Sequence, residues 1–299
     1  MINQLPLVSI IVNCFNGEEF LDQSIESVLS QNYQNWELIF WDNQSTDKSA
    51  EIVNSINDER IKYFYAPKHT ILYEARNYAV EKSAGDFLAF LDVDDWWEPN
   101  KLDEQIKLFS NSKIGIVCSN YYTYNNGSKK ERIKYNFQLP SGNITNSLLK
   151  LNTVGLLTLI IRKSCLQQKN LKFNPNYHII GDFDLIIKIS IDWEIGSVQY
   201  PLAHYRLHEN SESSKNKDLI ISEFESWILE NENNLKRNKN WEYMKSYVAY
   251  FKAINDQKMG KIKSSILEIF QPPINKYKLR LLVALLIPKK FLNHILNLI

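Results

Sequence analysis

The chain has only three cysteines, Cys14, Cys118 and Cys165, set apart in apolar or mixed segments and without the paired spacing of a zinc site. Buried reduced thiols are expected, and with them a cytosolic compartment. An excess of one charge is also missing: 35 Lys and Arg face 34 Asp and Glu, a net charge of +1, so no nucleic-acid partner is expected. No basic-then-apolar leader opens the chain, and strand-like sequence begins by Leu7, so no visible signal exports it. The apolar run before Pro288 falls short of the ~20 residues a membrane-spanning helix needs. Internal repeats and low-complexity segments are absent. Glycine is sparse, and Asn13 to Glu19 holds only Gly17, which argues against the glycine-rich phosphate loop of a nucleotidyltransferase.

What is present is enough for a core: 299 residues at 44% hydrophobic make one large or two modest domains. Leu7 to Val12 reads as a β-rich apolar run. It leads into a helix with Leu21, Ile25, Val28 and Leu29 on one face. Trp36 to Trp41 is a second buried strand, closed by Asp42 to Asp47, where Ser45 or Thr46 can cap the next helix. Ile61 to Tyr65 is a third strand. A helix from about Leu72 to Lys82, ended by Gly85, precedes the strand that begins at Phe87. This alternation predicts an α/β fold, a mostly parallel central sheet with helices on both faces. Farther on, Ile114 to Ser119, Leu156 to Arg162 and Glu194 to Tyr200 are strand candidates, Tyr121 to Gln138 a hairpin, and Gly181 opens a helix.

The segment from Phe87 to Trp97 organises the rest. Five apolar or small residues run into Asp92, Asp94 and Asp95, then Trp96 and Trp97. Acids at the carboxyl end of a buried strand mark a metal and phosphate site, because ligands of α/β proteins collect beyond those strand ends. The plainer alternative is a polar turn whose acids favour the following helix dipole. Asp182 has a similar double reading, as a site residue or as a helix N-cap, and His208 alone would be a surface or capping histidine.

Taken together, Val8 to Glu18, Asp42 to Asp47, Ala75-Arg76-Asn77 and Gly85 to Asp95 resemble the family 2 glycosyltransferases, of the GT-A, Rossmann-like fold. Gly181-Asp182, Tyr205 to His208 and Ser211 extend the likeness, which spans about residues 5 to 212. The resemblance implies an inverting enzyme that moves a sugar from a nucleoside diphosphate to an acceptor hydroxyl. It implies a divalent cation, Mg2+ or Mn2+, held by the DXD pair Asp92 and Asp94, with His208 reaching the metal or diphosphate from a closing loop. Asp92 is also placed at the ribose. Asp42 would accept the imide N–H of the base, which favours a UDP-sugar, and Asn13, Phe15 and Glu18 would wall the base pocket. Arg76, with Asn77 beside it, would reach a phosphate or the acid cluster; its plainer reading is a surface helix arginine. Asp182 is the implied catalytic base.

Three departures from the family pattern stand out: Asn43 where a second acid is common, Asn13 where proline is common, and Gly181 where an acid often precedes the base. Past about Ser213 the likeness fades. The expected division is a catalytic domain over 1–212 and a helical region over 213–299, with helices at Leu219 to Leu235, Trp241 to Ile254 and Ser264 to Phe270. The last stretch, Lys276 to Ile299, is basic and leucine-rich. It is expected to lie on the inner face of the cell membrane as an amphipathic anchor, with a helix buried on protein as the alternative. A saccharide or lipid-linked saccharide acceptor, in surface polysaccharide assembly, fits that placement. The rival classes are a non-catalytic nucleotide-sugar scaffold and a sugar nucleotidyltransferase.

Overall fold

The computed structural model describes residues 5–209, 211 and 215–258. The chain divides into two compact units, Met1–Thr145 with Thr153–Ser214, and Asn146–Asn152 with Lys215–Ile299.

In the first unit β1 (Val8–Cys14), β2 (Trp36–Asp42), β3 (Ile61–Tyr65) and β4 (Phe87–Phe90) are parallel and lie in the order β3-β2-β1-β4. Every residue of β1, β2 and β4 is buried, which is why their sequences read as continuous apolar runs rather than alternating ones. β3 closes the edge and is only half-buried. The helices α1 (Leu21–Leu29), α2 (Ser49–Asn54) and α3 (Leu72–Glu81) fill the crossovers. Side chains of β1 alternate across the sheet: Val8, Ile10, Val12 and Cys14 join one core with Leu21, Ile25 and Val28 of α1, and Ser9 turns to the other face, where its hydroxyl donates to Glu37. Gly85 is needed for close approach: a Cβ there would stand 2.7 Å from Leu7 O and Ser9 N.

Beyond β4 the sheet becomes mixed. β5 (Trp96–Trp97), β6 (Ile114–Asn125), β7 (Lys130–Ile133), β8 (Ile160–Arg162) and β9 (Glu194–Leu207) complete the order β4-β8-β6-β9-β5, with β7 paired to β6 as the expected hairpin. β8 runs antiparallel to β4 and β6, and β9 runs parallel to β6. β9 continues seven residues past the predicted end at Tyr200, through Pro201. The register slips between Ser119 and Asn120, where Pro201 faces Asn120, so the missing N–H falls at an irregularity. Leu156–Thr158 is a 3-10 turn before β8. The helices α4 (Lys101–Ile106), α6 (Lys163–Gln168) and α7 (Gly181–Ser190) belong to this unit, and α5 (Thr145–Lys150) lies across the boundary. All three cysteines are buried free thiols.

In the second unit α8 (Lys217–Leu235) and α9 (Trp241–Lys258) pair through the buried rings of Trp227 and Trp241, 5.9 Å apart. Among the described residues no helix is long and apolar enough to cross a membrane. The predicted helix at Ser264 and the basic tail from Lys276 lie outside the described residues.

Candidate active site

Parallel pairing brings the ends of β1, β2 and β4 side by side, so the segments leaving them share one rim of the sheet. Two of these loops are knitted together. Asn16, at φ 54°, accepts the Thr46 N–H at 2.8 Å, and the N–H groups of Asn16, Gly17 and Glu18 donate to Ser45 Oγ, Ser49 Oγ and Asp47 Oδ2. These three amides are therefore committed within the protein, and do not form the open cradle a triphosphate would need. Glu18 in turn accepts the Lys48 N–H and, with Asp47, holds the start of α2, so neither Ser45 nor Thr46 caps that helix. Phe15 is left facing outward, 52% exposed, with the ring of His69 4.4 Å from its own.

The predicted base-pocket residues do not all present themselves to a ligand. Asp42 is fully buried; one oxygen accepts the Ser45 N–H at 2.7 Å and the other the Tyr63 hydroxyl at 2.6 Å, so it holds its own loop. Asn77 is also engaged within the protein: its amide donates to Phe173 O and accepts from Phe173 N–H, which ties it to the loop before α7. Asn13 is the opposite case: buried at the end of β1, with neither amide atom hydrogen-bonded among the described residues. An unpaired buried amide is costly, and one at a strand end fits a site completed by a ligand or an ordered water.

The acid turn after β4 is built from several elements. Asp95, buried, accepts the Arg206 N–H of β9 at 2.9 Å, and the Arg206 guanidinium donates to Asp94 O at 2.8 Å and lies over the rings of Phe20 and Trp96. Arg206 and Asp95 thus set the turn's shape. Gly17 lets the first loop sit against it, since a Cβ there would come within 2.9 Å of Val93. Asp92 is bonded to the buried Arg76 guanidinium, and Asp94 lies 2.9 Å from His208 Nε2. Burial first, and then the charge of Asp92, push the Asp94 carboxyl above its ordinary range, partly offset by His208.

Among the described residues no group of three or more His, Cys, Asp or Glu is placed to hold a metal ion. Asp92 and Asp94 still fit a cation. The repulsion between two neighbouring carboxylates is relieved by a divalent ion, and Mg2+-type sites need only one or two carboxylates when phosphate oxygens and water complete the shell.

Asp182 stands in the first turn of α7, half-buried. Its Oδ1 accepts the Phe183 N–H at 2.8 Å and faces the Tyr73 hydroxyl, which donates to Ile179 O at 2.8 Å. Burial raises its carboxyl above the usual value and Arg76 pulls it back. Tyr73 also explains Gly181. A Cβ at 181 would stand 2.6 Å from the Tyr73 ring, which is itself stacked on Phe173. Gly181→Ala is therefore expected to destabilise the protein by about 1–3 kcal/mol, read from the denaturant midpoint, and to lower turnover by moving Asp182. Unchanged stability and turnover would mean that Tyr73 yields freely.

A family model described as glycosyl transferase family 2 matches residues 9–189, more than half of the chain. The chain belongs to that family. It is 35% identical over 210 residues, 70% of this chain and 80% of the relative, to the Escherichia coli UDP-Glc:alpha-D-GlcNAc-diphosphoundecaprenol beta-1,3-glucosyltransferase WfgD. Its fold is like that of S. aureus TarS 1–349 in complex with UDP-GlcNAc, at TM-score 0.61 and 16% identity over 95% of this chain and 72% of that chain. The mannosyltransferase PcManGT from Pyrobaculum calidifontis, in complex with GDP-Man and Mn2+, is similar at TM-score 0.62 and 12% identity over 89% and 75% of the two chains. The protein is a glycosyltransferase, with the GT-A type of α/β fold expected from its sequence. Side chains that shape this rim and that sequence reasoning missed are Tyr73 and Arg206. Arg206 lay inside a motif already singled out, whereas nothing local marks Tyr73.

Proposed function

We propose that this glycosyltransferase moves a sugar, with inversion, from a UDP-sugar to a hydroxyl of a saccharide or lipid-linked saccharide in the assembly of a bacterial surface polysaccharide. The observation that carries the proposal is the meeting of two carboxylates of different role around one buried guanidinium. Arg76 is hydrogen-bonded to Asp92 on the strand side and lies in the field of Asp182 on α7. Asp92 and Asp94 would hold Mg2+ or Mn2+, and a bound cation would neutralise charge on the leaving diphosphate. Arg76 holds Asp92 aligned, His208 steadies Asp94, and Asn13 offers a buried donor and acceptor at the nucleotide. Across the site Asp182 takes the proton of the attacking hydroxyl. The lipid-linked acceptor is suggested by the likeness to WfgD, whose acceptor is a diphosphoundecaprenol-linked GlcNAc, and would place the enzyme at the cytoplasmic face of the membrane.

The test is a binding and turnover screen of UDP-, dTDP- and GDP-sugars with Mn2+ or Mg2+, run beside Asp94→Ala. The expected result is metal-dependent binding of one UDP-sugar, weakened at least about tenfold in the variant. No nucleotide binding by the folded protein with either metal would overturn the donor site and favour a non-catalytic scaffold.

A further inference from the structure

The chain as a whole is nearly neutral, at +1, but the return arm of the β6–β7 hairpin is not. Lys129, Lys130, Arg132 and Lys134 stand against the single acid Glu131, four bases to one acid in a short stretch. All four basic residues are exposed and none is in an ion pair among the described residues; Lys129 lies over the Tyr124 ring at 6.0 Å. Glu131 turns to His204, its carboxylate 2.6 Å from Nδ1, and side chains alternate along a strand, so Lys130 and Arg132 stand on the opposite face of β7.

A charged edge has a plain explanation. Among the described strands β7 pairs only with β6, and charges on an edge strand discourage pairing with another chain. That accounts for the lysines and not for their apolar neighbours. Ile133 is 53% exposed and Phe137 47% exposed, where protection of an edge would favour polar residues. Nor is the backbone that carries them loose. Asn120, buried in β6, clamps Tyr135: its Nδ2 donates to Tyr135 O at 2.7 Å and its Oδ1 accepts the Tyr135 N–H at 3.2 Å. The Phe137 ring lies 5.3 Å from that of Tyr135, and the Leu139 N–H donates to Gln199 Oε1 at 2.8 Å. The apolar side chains are thus held outward by a fixed segment.

Basic side chains interleaved with exposed aliphatic and aromatic ones match an anionic bilayer surface, where the charges meet headgroups and the apolar groups enter the acyl boundary. Resting on the lipid-linked acceptor proposed above, we infer that Lys129 to Phe137 is the docking surface that seats the enzyme on an anionic membrane. Its place in the sheet suits that task. The turn of the same hairpin reaches Arg206, which donates to Asn126 Oδ1 at 3.2 Å while holding the acid turn through Asp94 O. One side chain therefore joins the docking hairpin to the acid turn, and seating the hairpin on lipid sets the distance of that turn from the bilayer.

The experiment is flotation of the purified full chain with vesicles of phosphatidylcholine alone, and of phosphatidylcholine and phosphatidylglycerol in equal parts. One variant combines Lys129→Gln, Lys130→Gln, Arg132→Gln and Lys134→Gln, and another combines Ile133→Ser with Phe137→Ser. A third, Phe137→Cys, carries an environment-sensitive fluorophore, the native cysteines being buried. The wild type is expected to float with the anionic vesicles alone and to be released by salt, and the charge variant to bind them at least about tenfold more weakly. The apolar variant should bind more weakly and stay salt-sensitive, and the label should shift to the blue on anionic vesicles. A full chain that binds neither vesicle overturns the inference. So does binding that survives the charge variant with the label unshifted, because the contact then lies elsewhere, as in the basic tail from Lys276. A label that shifts with soluble polygalacturonate and not with vesicles overturns it too, and assigns the patch to an acidic saccharide. Titration of a UDP-sugar with Mn2+ in the absence of vesicles tests the proposed function separately. Nucleotide binding without vesicle binding overturns this inference alone, whereas vesicle binding through the hairpin without nucleotide binding overturns the donor site alone.

Discussion

Asp182→Asn is expected to lower kcat by about 10²–10⁴-fold while leaving the affinity for the donor nucleotide nearly unchanged. The reasoning starts from where the carboxylate sits. Asp182 is held at its place on α7 by the Phe183 N–H and by the neighbouring Tyr73 hydroxyl, so asparagine can keep the same outline and still accept the Phe183 hydrogen bond. What it cannot do is take a proton from the acceptor. Burial lifts the carboxyl above its ordinary value, which strengthens it as a base, and Arg76 limits the rise. The sign of the pH effect follows. Transfer needs the ionised form, so activity falls as pH drops through the raised value, at a higher pH than an ordinary carboxylate would set. The residual activity of Asp182→Asn should lack that acid limb. A variant with near-wild-type kcat, or one with the limb intact, would remove Asp182 from the base role. Donor affinity is the internal control, since Asp182 lies across the site from Asp92 and Asp94 in the proposed arrangement.

The parts of this site that were legible in the sequence are those whose partners are near in the chain or whose burial is uniform. β1, β2 and β4 read correctly because both faces are covered, leaving no polar alternation to confuse the pattern. The acid turn was legible for the same reason, since carboxylates stand out against a run such as Phe87 to Leu91. The pairing of Asp94 with His208, 114 residues apart, depends on β9 folding back beside β6 and β5; only the family likeness put them in one site.

Misreadings came where a polar side chain serves the backbone. Ser45 and Thr46 look like helix caps, yet Ser45 receives an amide of the β1 loop and Thr46 donates its own to Asn16. Strand β9 outran its predicted end because Pro201 ordinarily ends a strand, and only the partner's slipped register lets it continue.

Lys101→Met is expected to stabilise the protein by about 2 kcal/mol near pH 7. Lys101 opens α4 yet is fully buried, against the Trp97 ring at 4.2 Å and with its Nζ donating to Gln105 Oε1 at 2.6 Å. Burial pulls its amine down from the ordinary 10.5 to about 7, and the first turn of a helix is an unfavourable place for a cation. Each unit of such a shift corresponds to about 1.36 kcal/mol. The expected gain is smaller than the whole shift, because Trp97 already favours the ammonium and Gln105 Oε1 loses its donor on substitution. The folded value is depressed, so between about pH 7 and 10.5 the unfolded chain holds a proton that the folded chain does not. Wild-type stability from this group therefore rises with pH across that window, and below about 7 its cost is complete and constant. Lys101→Met should show its greatest advantage at pH 6–7 and lose it steadily toward pH 10, in denaturant melts of the two proteins run in parallel. A variant less stable than wild type at pH 6.5, or an advantage that does not shrink with rising pH, would mean that the ammonium is well accommodated by Trp97 and Gln105. Lysine at 101 would then contribute to the packing behind the acid turn rather than oppose it.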